Sequence, residues 1–504
     1  MPHIPFQPKL SSKTVAVLLL LSFVLGLAAT SRDSFWIDEG NTAYKACQPT
    51  MGQWAVAMKA EGGGSDVQMP FYMGWIWAWE KAFGHGEQTL RLANLPWLLL
   101  GHAFLLAGLS RSRFAPRVAI VYACLAAVSP FLCFYLNEAR PYVMEYGAAC
   151  LVLAYLLEID AAPERAFAPR LVATMAGGMF LLTGGSLLGV PWAGSAFLAA
   201  CWILWKQRAV APLGKLRLSL ASVLISTALC IGMALLGWYY LKLFNAHMGA
   251  GPTGETDAAS CLFAGYEVAG LAGLGPNRAA LRSAGIGALG SHALPLAAGC
   301  LILFGAALAG AVSCARKTGR KLPPAWMLIA LLVPLVFTIR LGLANHFRIV
   351  GRHLIAGFPL LLLLASIALE SLWRTPLRAL VPLFMTAWVC SFASLRFSDT
   401  HKKDDYRSAA AVASTALISG NRVWWAADEI TGRYYGLDFA PAGKLVRWKN
   451  PEPTELTASP EPDLVILSKP NIYDQCGVMA HYLASHGFTP GVAFPAFTVF
   501  EKRP

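Results

Sequence analysis

The sequence Ser34-Phe35-Trp36-Ile37-Asp38-Glu39-Gly40 follows an apolar run from Val15 to Ala29. The run predicts a helix that crosses a lipid bilayer, so two adjacent carboxylates fall where this helix leaves the lipid. Apolar surroundings disfavour ionised groups and raise carboxyl pKa values. A carboxylate at such a boundary can serve as a general base or bind a cation. For the Asp38-Glu39 pair alone, the alternative is a solvated helix end.

The composition is that of a membrane protein that crosses the bilayer many times. Of 504 residues, 56% are hydrophobic and 14% are charged, and the mean hydropathy is +0.51. Soluble chains of this length do not have this balance. With about twenty mostly apolar residues needed per span, we predict about eleven transmembrane helices. They are 13–30, 91–109, 118–136, 142–158, 171–186, 190–205, 218–243, 293–312, 326–343, 354–370 and 379–396.

The net charge of +13 is concentrated in short loops. In the eleven-span arrangement these loops all lie on the side of the N-terminus, which the positive-inside rule places in the cytoplasm. The charge therefore indicates topology, and we predict no nucleic-acid partner. The loop residues are Arg111, Arg113, Arg117, Lys206, Arg208, Lys215, Arg217, Arg316, Lys317, Arg320, Lys321, Arg374 and Arg378.

The same topology places the first loop, 31–90, on the outer side, and its length suggests a function. Thr50 to Lys59 has the composition of a helix with Thr50 as its N-cap. The stretch Phe71 to Glu80 contains Trp75, Trp77 and Trp79. Because aromatic rings with a polar edge favour the headgroup region, we expect interfacial helices in this loop.

The other outward segments are 137–141, 244–292, 344–353 and the tail from about 397. Segment 244–292 is rich in Gly and Ala, which favours a mobile lid or a re-entrant segment. In the tail, strand-like and helix-like stretches alternate, which predicts a small α/β domain. The stretches are 404–417 and 478–485 for helices, and 422–426 and 464–467 for strands. The expected domains are thus 1–396, with 31–90 as its first outer loop, and 397–504.

Four further charged residues lie on the outward side, within the segments 137–141 and 344–353. Glu138 and Arg140 flank Ala139, and Arg348 and Arg352 follow the ninth span. Guanidinium groups there suit bidentate binding of phosphate. The alternatives are a local ion pair for Glu138 and Arg140, and snorkelling to lipid headgroups for the other two.

Four stretches resemble motifs of the GT-C superfamily of polyprenyl-phosphate-dependent glycosyltransferases. The similarity is to the bacterial branch that includes the lipid A aminoarabinose transferase and the protein O-mannosyltransferases. The stretches are Trp36-Ile37-Asp38-Glu39-Gly40, Asp66-Val67-Gln68-Met69-Pro70-Phe71-Tyr72, Asn137-Glu138-Ala139-Arg140-Pro141-Tyr142 and Arg352-His353-Leu354. This chain departs from the branch at Gln68 and Met69, which replace a His and a Pro, at His353, which replaces a Tyr, and at Gly40, which replaces an Ala.

The resemblance implies a role for each matching residue. Asp38 would be the general base toward an acceptor hydroxyl. Glu39, Asp66 and Glu138 would position substrate, and Asp66 and Glu138 would hold a divalent metal cation if one takes part. Arg352, with Arg348 and Arg140, would bind the phosphate of the donor. No other cofactor is implied.

The implied fold is a GT-C-like polytopic α-helical membrane protein with a small C-terminal α/β domain. The implied function is transfer of a sugar from a polyprenyl-phosphate donor to a glycan or lipid acceptor of the cell envelope, such as lipopolysaccharide. The implied location is the bacterial inner membrane, with the N-terminus cytoplasmic and the C-terminal domain periplasmic. Two alternatives remain: a transporter or flippase of lipid-linked sugar, and a structural partner with a degenerate site. A transporter would place charges near the mid-plane of the membrane, and few are found there.

Overall fold

The computed structural model describes residues 10–208, 219–249, 254–277, 280–281, 285–317, 324–373, 375–440 and 443–502. The described residues are mainly helical, and helical residues lie within each of the eleven predicted spans. The membrane-associated and connecting helices are α1 Ser12–Ala29, α2 Ile37–Ala46, α3 Met51–Lys59, α4 Pro70–Phe83, α5 Glu87–Leu92, α6 Leu95–Arg111, α7 Pro116–Val128, α8 Pro130–Leu136, α9 Tyr142–Ala161, α10 Pro169–Gly185, α11 Gly189–Lys206, α12 Leu220–Asn245, α13 Ala258–Val268, α14 Ala293–Lys317, α15 Ala325–Ala344, α16 Phe358–Leu372 and α17 Leu380–Phe397. Five residues of the predicted cytoplasmic loops lie outside the described residues: Lys215, Arg217, Arg320, Lys321 and Arg374.

Within the described part of the chain, eight helices are long and apolar enough to cross a membrane. The pair α7 and α8 makes a ninth span if it counts as one. The predicted spans 171–186 and 190–205 are the helices α10 and α11, of 17 and 18 residues. The prediction of a polytopic helical membrane protein is confirmed.

The predicted span 118–136 is not straight, because α7 and α8 meet at an angle of 54°. Pro130 is the first residue of α8 and has no N–H with which to continue the hydrogen bonds of α7. The hydroxyl of Ser129 instead accepts a hydrogen bond from the N–H of Leu132 at 3.3 Å and caps the new helix. The bend starts a short, separately directed helix just before Asn137.

Helix α9 is the centre of the membrane-spanning bundle, and its residues are buried from Tyr142 to Ile159. Helix α6 approaches it closely because small residues face each other. A Cβ atom added to Gly101 would lie 2.6 Å from Cα of Gly147. Small residues at crossing points are how membrane helices gain van der Waals contact. In contrast, Ser222 and Leu236 are the buried residues of α12, so this helix presents most of its surface to lipid.

A chain of buried polar side chains connects α1, α6, α7 and α9. The hydroxyl of Ser22 lies 2.9 Å from Nδ1 of His102, whose Nε2 lies 3.0 Å from the hydroxyl of Tyr146. That hydroxyl lies 2.7 Å from the hydroxyl of Tyr122. Because each group has a partner, the network fixes the relative rotation of four helices without leaving polar atoms exposed to hydrocarbon.

Paired charged side chains lie at both ends of α9. Arg140 precedes its N-terminus, while Glu158 near its C-terminus pairs with Arg111 at 3.1 Å and Arg170 at 2.6 Å. The helical rise places Tyr142 and Glu158 about 24 Å apart along the axis. The basic residues of the first predicted cytoplasmic loop therefore lie at the opposite end of the bundle from Arg140.

The described residues form two compact units. The membrane unit contains residues of Met1–Thr30, Val56–Ile76 and Arg91–Ser398, and the sheet unit contains residues of Ser31–Ala55, Trp77–Leu90 and Asp399–Pro504. The elements that complete the sheet unit are α18 Tyr406–Ile418, β1 Val423–Ala426, α19 Glu429–Tyr434, β2 Leu445–Arg447, α20 Pro453–Ala458, β3 Leu464–Ser468, α21 Pro470–Tyr473, α22 Val478–Ser485, β4 Phe488–Phe494 and β5 Phe497–Lys502. The predicted domain division at 396 stays a prediction.

The sheet has the strand order β2-β1-β3-β5-β4. Strands β2, β1 and β3 are parallel, and β5 runs antiparallel to both β3 and β4. Strands β1 and β3 are buried along their whole length, which is typical of strands covered on both faces. The predicted C-terminal α/β fold is confirmed.

Candidate functional site

The membrane unit contains a buried ion pair between two of the motif stretches. Nη1 of Arg140 donates to Oδ1 of Asp66 at 2.6 Å, and Nη2 donates to the hydroxyl of Ser65 at 2.9 Å. Both charged side chains are 4% exposed. Arg140 lies in the short loop between α8 and α9, and Asp66 lies in a 3-10 segment that precedes α4. The structure therefore brings together two residues that are 74 positions apart.

The segment that carries Asp66 is fixed by its main chain. The hydroxyl of Tyr239 on α12 donates to the carbonyl oxygen of Val67 at 2.7 Å. The N–H of Leu187, between α10 and α11, donates to the carbonyl oxygen of Gln68 at 2.9 Å. Because these bonds use main-chain oxygens, they do not depend on the side chain at position 68, where this chain departs from the resembling family.

The loop that carries Glu138 is also held by its main chain. Nδ2 of Asn94 donates to the carbonyl oxygen of Glu138 at 2.6 Å, and the N–H of Arg140 donates to the same oxygen at 2.7 Å. The hydroxyl of Tyr72 on α4 lies 3.4 Å from Oδ1 of Asn94. Glu138 is 1% exposed. The predicted residues Asp66, Glu138 and Arg140 thus occupy one buried, well-braced region.

The fourth motif stretch reaches the same helix terminus. The guanidinium carbon of Arg352 lies 5.9 Å from the centre of the ring of Tyr142, the first residue of α9. This distance is within the range of a cation–π interaction. Tyr142 is two residues from Arg140, so three of the four motif stretches meet at the N-terminus of α9.

The segment that contains Arg348 and Arg352 packs against the second long outward loop. Oε2 of Glu267, on α13, accepts a hydrogen bond from the N–H of Gly351 at 2.7 Å. The hydroxyl of Thr256 donates to the carbonyl oxygen of Phe347 at 2.6 Å. Arg348 is exposed. These contacts give the arginine segment a defined backbone path on both sides of Arg348.

Helix α13 and Glu267 lie in the segment 244–292, for which the sequence predicts a lid or a re-entrant segment, so neither is among the predicted features of the site. The helix begins with a capping box in which Oδ1 of Asp257 accepts from the N–H of Ser260 at 2.7 Å, and the Ser260 hydroxyl accepts from the N–H of Asp257 at 3.0 Å. The hydrogen bond from the N–H of Ser260 holds the pKa of the Asp257 carboxyl below its usual range. An Asp followed by Ser three positions later, before an apolar run, was the signal that could have indicated this helix.

Asp38 and Glu39 lie in the sheet unit, in the first turn of α2. Negative charges in the first turn of a helix are stabilised by the positive end of the helix dipole. Glu39 is fully buried and its Oε2 lies 2.8 Å from Nζ of Lys403, while Asp38 is partly exposed. Lys403 is a partner that the sequence did not indicate.

Asp428 also contacts α2. Nδ2 of Asn41 donates to Oδ2 of Asp428 at 2.9 Å. Burial raises the pKa of the Asp428 carboxyl above its usual range, and the nearby charge of Asp38 raises it further, while hydrogen bonds from Thr431 and Asn41 oppose the shift. This carboxyl was not among the predicted site residues, because nothing in the sequence relates it to a motif 390 or so positions earlier.

Few side chains are available as ligands for the predicted metal cation among the described residues. Within the described ranges, no group of three or more His, Cys, Asp or Glu side chains is arranged to hold a metal ion. Asp66, one of the two predicted ligands, shares its buried surroundings with the guanidinium of Arg140. A fixed cation already faces that carboxylate, so we derive no chemical step through a metal ion.

The sequence matches no protein-family model and no curated protein with significance. The fold does match solved structures. ArnT from Cupriavidus metallidurans bound to undecaprenyl phosphate superposes with a TM-score of 0.56 at 14% identity, over 97% of this chain and 98% of that one. The apo state of the same protein gives 0.55 at 14% identity, over 96% of both chains.

This chain has the GT-C fold. A second GT-C structure, the arabinofuranosyltransferase AftD from Mycobacteria, matches with a TM-score of 0.51 at 15% identity. That match covers 98% of this chain and 42% of the larger AftD chain. The GT-C fold predicted from the four motif stretches is therefore confirmed, and the match to ArnT covers 97% of this chain.

Proposed function

We propose that this GT-C chain is a membrane glycosyltransferase that moves a sugar from a polyprenyl-phosphate-linked donor to an acceptor hydroxyl. The observation that carries the proposal is the meeting of Asp66, Arg140 and Arg352 at the N-terminus of α9. A fold shared over nearly the whole length with ArnT, which was solved with undecaprenyl phosphate, supports the choice of donor.

Arg352, with Arg348 and Arg140, binds the phosphate of the donor. The Arg352 guanidinium lies 5.9 Å from the centre of the Tyr142 ring, and the N–H donors of a guanidinium group match the oxygens of a phosphate. As the bond between the sugar and the phosphate breaks, the phosphate gains negative charge. Fixed cations therefore stabilise the transition state more than the bound donor, which accelerates the reaction.

Asp38 acts as the general base. It accepts the proton of the acceptor hydroxyl as the oxygen attacks the anomeric carbon, and the electron pair of the broken C–O bond leaves with the lipid phosphate. Its partial exposure suits a group that must meet a substrate. Glu39, Asp66 and Glu138 are buried and position the surrounding segments and the substrates.

We place the protein in the bacterial inner membrane, with the N-terminus in the cytoplasm and the sheet unit in the periplasm. The separation of the Glu158 cluster from Arg140 along α9 supports this orientation, since Arg111 belongs to a predicted cytoplasmic loop. The acceptor is a glycan or lipid of the cell envelope. A divalent cation stays a prediction of the resemblance, and transfer measured before and after chelation with EDTA tests it.

The test is a transfer assay with purified protein, a polyprenyl-phosphate sugar and candidate acceptors. We expect release of polyprenyl phosphate that depends on the acceptor. Asp38→Asn should reduce that release by at least about a hundredfold, because general-base catalysis contributes about 10²–10⁴-fold. It should leave binding of the donor unchanged.

Movement of the lipid-linked sugar across vesicles without release of the phosphate would instead favour the transporter. Full transfer by Asp38→Asn would refute the role of Asp38.

A further inference from the structure

The C-terminal part of the sheet unit contacts the helix α2, which carries Asp38 and Glu39. Nζ of Lys403 lies 2.8 Å from Oε2 of Glu39, although the two residues are 364 positions apart in the sequence. The side chain of Glu39 is fully buried and that of Lys403 is 10% exposed. Since a buried carboxylate depends strongly on its counter-charge, the position of α2 is coupled to the segment that leads into α18.

A second contact joins α2 to the N-terminus of α19. Oδ2 of Asp428 accepts from the N–H of Thr431 at 2.8 Å and from its hydroxyl at 2.6 Å, which caps α19. The same oxygen accepts from Nδ2 of Asn41 at 2.9 Å. One carboxylate thus starts α19 and holds α2, so these two helices cannot shift independently without losing a buried hydrogen bond.

The third contact is steric and concerns Gly40. A Cβ atom added to Gly40 would lie 2.3 Å from Cγ2 of Thr431. The resembling family has Ala at this position, and the closest approach of α19 explains why Ala does not fit here. The replacement of the motif's Ala by Gly40 is therefore explained by the close packing of Thr431 against α2.

We propose that the C-terminal α/β domain is a positioning element of the transferase site, and that Lys403, Asp428 and Thr431 hold the α2 helix so that Asp38 is correctly oriented. This inference rests on the proposed role of Asp38. None of the three residues is a catalytic residue, because each acts through α2. The domain is then required for turnover, in contrast to a domain that only adds stability or docks an acceptor.

The test compares Lys403→Met with Lys502→Met in the full-length protein. Lys502 belongs to the same domain and pairs with Glu461 at 2.7 Å, but both side chains are almost half exposed and neither contacts α2. Both variants remove one ammonium group from an ion pair. Hydrogen–deuterium exchange of 37–46 reports how firmly α2 is held, and kcat and KM for the donor report catalysis.

We expect Lys403→Met to speed exchange in α2 by at least about tenfold and to lower kcat by about tenfold to a hundredfold, because small misplacements of reacting groups have effects of that size. KM for the donor should change by less than about twofold. Lys403→Arg should recover most of kcat, and Lys502→Met should behave like the wild type. Unchanged exchange in α2, or equal effects of the two methionine variants, would overturn the inference.

Asn41→Ala is the second variant, because it removes the hydrogen bond from α2 to Asp428, together with the bond from the same Nδ2 to the carbonyl oxygen of Ile37, and leaves the ion pair intact. If Lys403→Met does not fold, faster exchange in α2 of Asn41→Ala supports the inference, and wild-type exchange refutes it. An inactive wild type would refute the proposed function alone, since the exchange experiment needs no turnover.

Discussion

Two buried ion pairs, one in each unit, show different ways of fixing an acidic side chain. In the membrane unit, Asp66 meets Arg140 at 2.6 Å, and the same guanidinium also binds Ser65. In the sheet unit, Glu39 meets Lys403 at 2.8 Å. The first pair uses a planar group that binds two oxygens at once, and the second uses a compact charge. The first therefore fixes orientation as well as distance.

The pairs also differ in how visible they are in the sequence. Asp66 and Arg140 both lie in motif stretches, so their meeting follows once those stretches share a site. Only Glu39 of the second pair lies in a motif, and its partner is 364 positions away. A motif can therefore indicate both members of a pair, as for Asp66 and Arg140, or only one, as for Glu39, whose partner Lys403 lies far away in the sequence.

The most severe test of this comparison is Arg140→Met. We expect it to lower the free energy of unfolding by about 3–5 kcal/mol, because the carboxylate of Asp66 loses its buried counter-charge. Thermal unfolding in detergent measures the change. The matched control is Arg113→Met, since Arg113 is exposed and binds only the carbonyl oxygen of Asp160 at 2.7 Å. The control should change stability by about 0.5 kcal/mol or less, and equal losses would remove the special role of the buried pair.

The next largest effect is expected for Gly40→Ala in the sheet unit. The added methyl group overlaps Thr431, and overpacking of this kind typically costs about 1–3 kcal/mol. The double variant with Thr431→Gly should pack without the clash and regain part of the loss. Thermal unfolding of the wild type, the two single variants and the double variant measures this coupling. Strict additivity of the two substitutions would show that the helices do not meet there.

A smaller effect should follow from Glu267→Ala. This variant sharpens the comparison, because Glu267 binds the main chain of the segment that carries Arg348 and Arg352. Removing the carboxylate leaves the N–H of Gly351 without this acceptor. We expect binding of a polyprenyl phosphate to weaken about tenfold, equivalent to about 1.4 kcal/mol. Glu267→Gln keeps an acceptor oxygen and should bind nearly as well as the wild type. Equal weakening in both variants would indicate that charge, and not the hydrogen bond, matters.

The smallest effect concerns pH and Asp428. Burial raises the pKa of its carboxyl in the folded state above that of the unfolded chain, so the folded state binds more protons between those two pKa values. Its contribution to stability therefore falls as the pH rises through that window and is constant above it. Asp428→Asn should lose this dependence. Unfolding midpoints of the wild type and of Asp428→Asn at a series of pH values test this dependence. The midpoint of the wild type minus that of the variant should decrease as the pH increases; an increase would contradict the assignment.

The sequence predicted the fold well because hydrophobic periodicity and length determine membrane helices. The helix predicted at 478–485 coincides with α22 Val478–Ser485, and the strand predicted at 464–467 with β3. The bend at Ser129-Pro130 was missed, since the apolar run continues through it. Helix α13 was missed because Gly and Ala dominate its surroundings, and its capping box was the sole local signal.

The candidate site was predicted less completely. The GT-C fold expected from the four motif stretches is confirmed, and three of the stretches meet at the N-terminus of α9. The catalytic and binding roles assigned to their residues stay predictions. Lys403 and Asp428 could not be inferred, because a single charged residue in a polar domain has many possible partners, and only the packed sheet unit selects one.

The enclosure of α9 has a consequence for the lipid environment. Its surface contacts protein on all sides, whereas α12 presents most of its surface to acyl chains. A bilayer that is too thick or too thin is accommodated by tilting or by local deformation at lipid-exposed helices. Hydrophobic mismatch would thus act first on α12, and the N-terminal end of α9, where Arg140 lies, would be insulated from changes in acyl-chain length.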